Sequence, residues 1–212
     1  QCKEEGIRTA VIGNGSNLLV GDKGFRGAVI RLGEGFGAIE TDGNRLKAEA
    51  GALLAKLART AANAGLGGLA FAAGIPGTVG GALVMNAGAY GGEMKDVLES
   101  AELLLPDGSV RHFTGAELEL SYRHSNIAEL GAIVLSAVFV LQSGEKEEIL
   151  AEMQRYAVSR REKQPLEFPS AGSAFKRPAG DAAARLLDAA GCKGLRIGGA
   201  AISEKHAGFL VN

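Results

Sequence analysis

Residues 65–92 read GLGGLAFAAGIPGTVGGALVMNAGAYGG and form the most glycine-rich stretch of the chain. Ten of these twenty-eight residues are glycine and none is charged. Glycine loses more backbone freedom on folding than any other residue, so a chain that concentrates it needs bare backbone there. Two uses fit: backbone N–H groups close to a large ligand, or tight turns in a crowded interior. The pattern favours the first use and leaves the second open.

Composition indicates an ordinary globular protein without a polyanionic partner. Of the 212 residues, 46% are hydrophobic and 22% charged, and the net charge is −1. A net charge this close to zero gives no strong electrostatic attraction to nucleic acid or to an anionic membrane surface. No apolar run approaches the roughly 18 residues that a membrane span needs. The two cysteines, Cys2 and Cys192, match no metal or redox spacing, which indicates a reducing compartment. The three scattered histidines predict no metal site.

Periodicity predicts an α+β fold with a mixed sheet and a smaller second domain. A change in composition at Ser143-Gly144 gives the predicted domains 1–143 and 144–212. The chain begins with Gln1 rather than Met and stops inside a predicted strand, which favours a piece of a longer protein. The predicted strands are 9–12, 18–20, 27–32, 44–50, the hairpin 101–113 and the central strand 132–142. The predicted helices are 51–65, 145–164 and 181–191, and Asp181 is the predicted N-cap of the last. Residues 169–178 are predicted to form a loop.

A second glycine turn lies at GNGSNL, residues 13–18. It fails the dinucleotide fingerprint GxGxxG because Leu18 replaces the third glycine and a strand, not a helix, is predicted to follow. The turn could hold a phosphate through exposed N–H groups and the side chains of Ser16 and Asn17. It could equally be a hairpin turn that satisfies its own hydrogen bonds, and the local sequence favours the hairpin.

Two polar segments carry candidate chemistry. SYRHSN, residues 121–126, contains Arg123, whose permanent charge can hold or polarise an anion. SAGSAFKRP, residues 170–178, places Ser173 just before two cations. Taken alone, each segment is as consistent with a charged surface turn as with a site.

Five segments in one order resemble the UDP-N-acetylenolpyruvoylglucosamine reductase (MurB) family of flavoenzymes. The resemblance covers nearly the whole chain and matches the subtype without an extra tyrosine-bearing substrate loop. The segments are GNGSNLLV (13–20), AGIPGTVGGALVMNAGAYGGE (73–93), SYRHS (121–125), QPLEFPSAGSAFKRP (164–178) and SEKHAGFLVN (203–212).

The resemblance implies an FAD-binding domain of the vanillyl-alcohol-oxidase type and a substrate-binding domain. It implies NADPH as reductant, UDP-N-acetylglucosamine enolpyruvate as acceptor, a role in peptidoglycan synthesis, a cytoplasmic location and a monomer. By the same resemblance, both glycine segments line FAD, with 74–81 nearest its diphosphate and 86–90 near its isoalloxazine. The implied cofactor-binding residues are Gly13, Asn14, Gly15, Ser16, Asn17, Gly74, Ile75, Pro76, Gly77, Thr78, Gly80, Gly81, Asn86, Gly88 and Ala89.

The resemblance also assigns the catalytic and substrate-binding residues. Arg123 stabilises the negative charge that develops on the enolpyruvyl group, because its charge is fixed and aimed in advance. Ser173 donates the proton to C2, which a hydroxyl can do when the acceptor is very basic and the site is dry. Tyr122, Lys176 and Arg177 are placed against the substrate.

The chain departs from the family in two respects, and two other functions stay open. The family's third catalytic residue is a glutamate in a C-terminal segment that this chain lacks, and an N-terminal portion of the FAD domain is also lacking. One alternative is another oxidoreductase of the same flavin fold. The other is a non-catalytic fragment that binds flavin or a nucleotide sugar.

Overall fold

The computed structural model describes residues 1–212 and divides into two compact units. Unit 1 comprises residues 1–16 and 20–156, and unit 2 comprises residues 17–19 and 157–212. The chain passes from unit 1 to unit 2 between Tyr156 and Ala157, within a helix. The domain boundary near Ser143 stays a prediction.

Unit 1 contains eleven strands, two complete helices and the first part of a third. The strands are β1 (Thr9–Ile12), β2 (Ala28–Arg31), β3 (Ile39–Asp42), β4 (Arg45–Glu49), β5 (Leu66–Gly67), β6 (Gly88–Ala89), β7 (Gly92–Glu93), β8 (Leu98–Leu104), β9 (Val110–Thr114), β10 (Ile133–Val140) and β11 (Gln142–Ser143). The helices are α1 (Leu54–Asn63), α2 (Val79–Val84) and α3 (Lys146–Lys163), with 3₁₀ turns at Glu34–Phe36, Ala70–Gly74 and Met94–Asp96. No helix combines the length and apolarity needed to cross a membrane.

A five-stranded antiparallel sheet organises unit 1. Its strand order is β3-β4-β10-β8-β9, so β10 is central, as its run of apolar residues predicts. α1 buries one apolar face, which includes Leu54, Leu57 and Ala61. Each fully buried leucine contributes about 1.5–3 kcal/mol relative to an exposed one, so this face stabilises α1 more than helix propensity does. Gly65, at φ 67°, lies just beyond the C-terminus of α1, as predicted.

The predicted hairpin at GNGSN is wrong. β1 pairs in parallel with β2, and the chain from 13 to 27 is the crossover between them. Residues 18–20 form no strand, and Leu18, Leu19 and Val20 are exposed. Parallel and antiparallel pairings therefore both occur, in separate sheets. The α+β class is confirmed.

Unit 2 contains the end of α3 and a four-stranded antiparallel sheet of order β12-β15-β14-β13. Its elements are β12 (Ser170–Ser173), α4 (Ala183–Ala189), β13 (Arg196–Ile197), β14 (Ala200–Ile202) and β15 (Phe209–Val211). The predicted loop 169–178 is wrong at β12, because its polar, small residues pair with β15. The predicted N-cap is also wrong: Ala182 is the N-cap residue, and Asp181 accepts hydrogen bonds from Ala182 and Arg185.

Candidate cofactor and substrate sites

The two predicted cofactor turns lie against each other in unit 1. The Asn14 side chain donates a hydrogen bond to the carbonyl oxygen of Pro76 at 3.2 Å. A Cβ atom on Gly13 would overlap Thr78 Oγ1, and one on Gly77 would lie 3.7 Å from Ser16 Oγ. The structure therefore joins residues 13–16 to 76–78, which are separated by sixty residues of chain, whereas Asn17 is grouped with unit 2.

Within the second of these turns the glycines serve different purposes. The N–H groups of Val79 and Gly80 donate to the carbonyl oxygens of Ala52 and Ala50, at 2.9 and 2.8 Å. A Cβ atom on Gly80 would lie 3.0 Å from Ala50 Cβ, so this glycine permits close packing. Thr78 is buried and Ile75 and Gly77 are half-buried, whereas the exposed candidates are Asn14, Gly15, Ser16, Asn17, Gly74, Pro76 and Gly81. The exposed residues are the ones that can approach a ligand directly.

A tight hairpin follows α2. Gly88 pairs with Glu93 and Ala89 with Gly92, and Tyr90 and Gly91 both have positive φ, at 53° and 87°. These values are those of a type I′ turn. At the tip, the Tyr90 ring stacks on Tyr156 with centroids 4.2 Å apart, and its hydroxyl donates to the Tyr156 carbonyl at 3.0 Å. The hairpin is thereby anchored on α3.

Arg123 occupies the second corner of a two-residue turn. Ser121 and His124 exchange backbone hydrogen bonds at 3.1 Å, and Arg123 has φ 57°. A positive φ at that corner is what a type II turn requires, and for arginine it is strained. The half-buried Arg123 donates from Nη2 to the Gly88 carbonyl at 3.0 Å, and its guanidinium lies 5.1 Å from the Tyr122 ring centroid.

Three hydrogen bonds dock the Arg123 turn onto the glycine-rich segment. Besides the bond from Arg123 to Gly88, buried Ser125 donates to the Val84 carbonyl at 2.9 Å. The third bond runs from Asn86 Nδ2 to the Ser121 carbonyl, also at 2.9 Å. The structure thus brings together two segments that the sequence singled out separately.

Asn86 is completely buried, and its side chain makes hydrogen bonds only within the protein. Nδ2 also donates to Glu93 Oε2 at 2.7 Å, and Oδ1 accepts the N–H of Lys95 at 3.0 Å. Its φ of 38° lies in the left-handed region, where asparagine is favoured among non-glycine residues. The side chain of this cofactor-binding candidate therefore shapes the segment from inside.

Glu93 is the residue that the sequence did not single out. The Lys95 ammonium, 3.0 Å away, lowers the pKa of the Glu93 carboxyl below its ordinary value; the Asn86 amide and the charge of Arg123 lower it further. Glu93 is thus held as a carboxylate. Its position as the first charged residue after thirty-three uncharged ones was the available signal.

Unit 2 carries the other predicted catalytic residue. Ser173 is exposed at the end of β12, opposite Phe209, and its hydroxyl makes no hydrogen bond within the protein. A Cβ atom on Gly208 would lie 3.3 Å from Ser173 Oγ, so a glycine there leaves room around the hydroxyl. Lys176 and Arg177 are exposed in the loop that follows β12. Arg123 and Tyr122 lie in unit 1, and Ser173, Lys176 and Arg177 in unit 2.

Comparison with known proteins accounts for both units. A family model described as an FAD binding domain matches residues 1–114, and one described as the UDP-N-acetylenolpyruvoylglucosamine reductase C-terminal domain matches residues 164–212. The UDP-N-acetylenolpyruvoylglucosamine reductase of Agathobacter rectalis is 55% identical, over 95% of this chain and 68% of that protein. The Clostridium beijerinckii protein of the same name is 53% identical, over 100% of this chain and 69% of its own length.

A solved structure gives the same result. The crystal structure of the Thermus caldophilus enzyme, UDP-N-acetylenolpyruvylglucosamine reductase (MurB), superposes with a TM-score of 0.87 at 44% identity. The match covers 97% of this chain and 75% of that one. The order of the segments, the fold and these relatives agree, and the chain belongs to the UDP-N-acetylenolpyruvoylglucosamine reductase family.

Proposed function

We propose that this chain reduces UDP-N-acetylglucosamine enolpyruvate to UDP-N-acetylmuramate, with FAD as bound cofactor and NADPH as reductant, in peptidoglycan precursor synthesis. Family membership supports the reaction and both cofactors. The observation that carries the proposal within the chain is the docking of the Arg123 turn on the glycine-rich segment. A fixed cation is thereby held beside the segment that we assign to the cofactor.

The residues of the two glycine turns suit the diphosphate of FAD. Residues 13–16 and 74–78 lie side by side, bear no carboxylate that would repel an anion, and expose glycine backbone together with amide and hydroxyl groups. We assign FAD to these turns, to Asn17, which directly follows the first turn in the chain, and to Gly81, Gly88 and Ala89. Thr78, Gly80 and Asn86 would shape the turns rather than contact FAD. Thr78 is buried, the Gly80 N–H already donates to the Ala50 carbonyl, and the Asn86 amide already donates to Glu93. When bound, the flavin supplies the two-electron reduction of the enolpyruvyl group.

Arg123 would stabilise the negative charge that develops on the reduced enolpyruvyl group and its carboxylate. Its guanidinium stays charged at every relevant pH, so it needs no proton to act. The hydrogen bond to Gly88 leaves other N–H groups of the guanidinium for the substrate. Preorganised charge of this kind costs no reorganisation when the reaction occurs.

Ser173 would donate the proton to C2 of the substrate. Its hydroxyl is exposed, and because it has no hydrogen-bond partner within the protein, it is available to the substrate. A hydroxyl serves as an acid only toward a strongly basic carbon in a site from which water is excluded. Tyr122, Lys176 and Arg177 would hold the anionic parts of the substrate.

Another oxidoreductase of the same flavin fold is less well supported. A shared flavin fold would account for the match over residues 1–114. The match over 164–212, however, is to a domain whose description names this reductase.

We further propose that the protein is a cytoplasmic monomer that binds neither nucleic acid nor membranes, because UDP-sugars and NADPH are cytoplasmic and the net charge is −1. Light scattering on the purified chain tests the monomer.

Steady-state oxidation of NADPH tests the function. The purified chain, supplied with FAD, should oxidise NADPH only when UDP-N-acetylglucosamine enolpyruvate is present, with UDP-N-acetylmuramate as product. NADPH oxidation that ignores this substrate would contradict the reductase and favour another flavin oxidoreductase. A stable flavin spectrum without turnover would leave only the flavin-binding part of the proposal standing.

A further inference from the structure

Asn86 links the Arg123 turn to the β6–β7 hairpin. One amide nitrogen reaches both the Ser121 carbonyl, at 2.9 Å, and the Glu93 carboxylate, at 2.7 Å. The amide oxygen accepts the Lys95 N–H at 3.0 Å. Because the side chain has no exposed surface, none of these groups can be replaced by water without opening the fold.

Glu93 lies across the strand pair from the carbonyl that holds Arg123. Glu93 is paired with Gly88 in the hairpin, and a Cβ atom on Gly88 would lie only 2.8 Å from Glu93 Cγ. The Glu93 side chain therefore passes directly over Gly88. The same Gly88 accepts the hydrogen bond from Arg123 Nη2 at 3.0 Å.

Arg123 has few other means of keeping its orientation. Its backbone is in a strained left-handed conformation, and its named contacts are the neutral Gly88 carbonyl and the Tyr122 ring. No carboxylate lies within ion-pair distance of it, and Glu93 is the carboxylate whose ionisation its charge favours. A long, charged side chain held in this way depends on the field around it for its orientation.

We propose that Glu93 and Asn86 are positioning residues for Arg123: the Glu93 carboxylate holds the guanidinium beside Gly88, and the Asn86 amide fixes both the carboxylate and the turn that carries Arg123. This inference rests on the proposed function of Arg123 toward the enolpyruvyl group. Neither residue touches the substrate. The juxtaposition of Glu93, Gly88 and Arg123 carries the inference, because the Glu93 side chain passes over the residue whose carbonyl oxygen accepts the hydrogen bond from Arg123.

Two simpler roles for Glu93 give different results. If Glu93 only stabilises the hairpin through Lys95 and Asn86, its loss lowers stability and affects every variant of Arg123 equally. If its negative charge only weakens the field of Arg123 at an anionic substrate, its neutralisation strengthens substrate binding and leaves turnover unchanged or faster. A positioning role instead slows turnover, and does so only while Arg123 is present.

The test is a double-mutant cycle on the flavin-loaded full chain with Glu93→Gln and Arg123→Lys. Glutamine keeps the length of the side chain and can still accept from Asn86, so it removes the charge with little change of shape. In single-turnover reoxidation of the reduced protein by substrate, Glu93→Gln should be slower by about tenfold to a hundredfold, as expected for a misplaced charged group. In the Arg123→Lys background the same change should have an effect of less than about twofold.

Controls separate this result from misfolding and from failure of the proposed function. Glu99→Gln removes a carboxylate of similar exposure that pairs with Arg45 at 2.8 Å, and it should leave reoxidation unchanged. Flavin reduction by NADPH should also be unchanged in Glu93→Gln, because that step develops no negative charge on the substrate beside Arg123. Asn86→Ala should slow reoxidation in the same way if it folds; Glu93→Gln decides the test if it does not.

Each outcome bears on the inference or on the function. Reoxidation at the wild-type rate in Glu93→Gln, faster reoxidation, or an equal slowing in both Arg123 backgrounds would overturn the positioning role. A wild-type protein that NADPH reduces but the enolpyruvyl substrate does not reoxidise would instead overturn the proposed function. Because the first comparison needs a competent wild type, the two failures are distinguishable.

Discussion

Ser125 provides the most direct test of how the Arg123 turn is held. Ser125 is 3% exposed, and its hydroxyl donates to the carbonyl of Val84, the last residue of α2. A carbonyl in the last turn of a helix has no partner within the helix, so Ser125→Ala removes the hydrogen-bond partner of the half-buried Val84. We expect a loss of about 1–2 kcal/mol in the free energy of unfolding. For a chain of this length that corresponds to a midpoint lower by roughly 2–8 °C.

The same substitution should slow the reaction with the enolpyruvyl substrate. One of the three bonds that dock the turn is lost, so Arg123 is less firmly placed and turnover should fall by about tenfold. Calorimetry measures the midpoint, and NADPH oxidation in the presence of substrate measures turnover. Ser121→Ala is the matched control, because the Ser121 hydroxyl lies in the same turn, is exposed and makes no hydrogen bond. If Ser125→Ala and Ser121→Ala behave alike in both assays, the reasoning about docking is refuted.

Three further predictions address the acid, the packing of the glycine segment and pH. Ser173→Ala should still allow NADPH to reduce the flavin but should slow reoxidation by the enolpyruvyl substrate by about 10²–10⁴-fold, measured by stopped flow. Gly92→Ala should cost about 1–3 kcal/mol in urea unfolding, because its Cβ would lie 2.6 Å from the buried Phe71 ring. Arg185 lowers the pKa of Asp181 from 3.8 to about 2, so Asp181 contributes stability above pH 3.8 that is lost as pH falls through 2; Asp181→Asn should lower the melting temperature at pH 6 and have a much smaller effect at pH 2.

Each of these predictions has a matched control or a contradicting result. Rapid reoxidation of Ser173→Ala by substrate would exclude Ser173 as the acid. Gly35→Ala should cost much less than Gly92→Ala, because nothing lies within 4 Å of its Cβ position and its φ is not in the positive range; equal costs would contradict the packing argument. An Asp181→Asn effect as large at pH 2 as at pH 6 would show that Asp181 acts through something other than its charge.

Local patterns predicted most of the secondary structure, because they concern residues close together in the chain. The apolar run of β10 predicted a central strand, and the charge pattern of α3 predicted its limits within a residue or two. GNGSN was mispredicted as a hairpin because β1 finds its partner across a crossover, and nothing at 13–20 signals a parallel pairing with 28–31. The polar residues of β12 likewise take their conformation from β15, forty residues away.

The candidate site was predictable in its residue types but not in its connections. Arg123 could be singled out as a fixed cation among polar residues, and the glycine segment as a place for bare backbone. The bonds that join them, from Asn86, Arg123 and Ser125, depend on tertiary contacts across about forty residues. The sequence could not show which glycines serve packing and which lie where a ligand can approach. In the structure Gly80 and Gly92 permit close packing, whereas Gly74 is exposed.

Anaerobic reoxidation tests the central claim most directly. The chain is loaded with FAD, reduced with one equivalent of NADPH, and mixed with UDP-N-acetylglucosamine enolpyruvate in the absence of oxygen. The account predicts a rapid, stoichiometric return of the oxidised flavin spectrum together with UDP-N-acetylmuramate. A flavin that stays reduced in the presence of this substrate would contradict it.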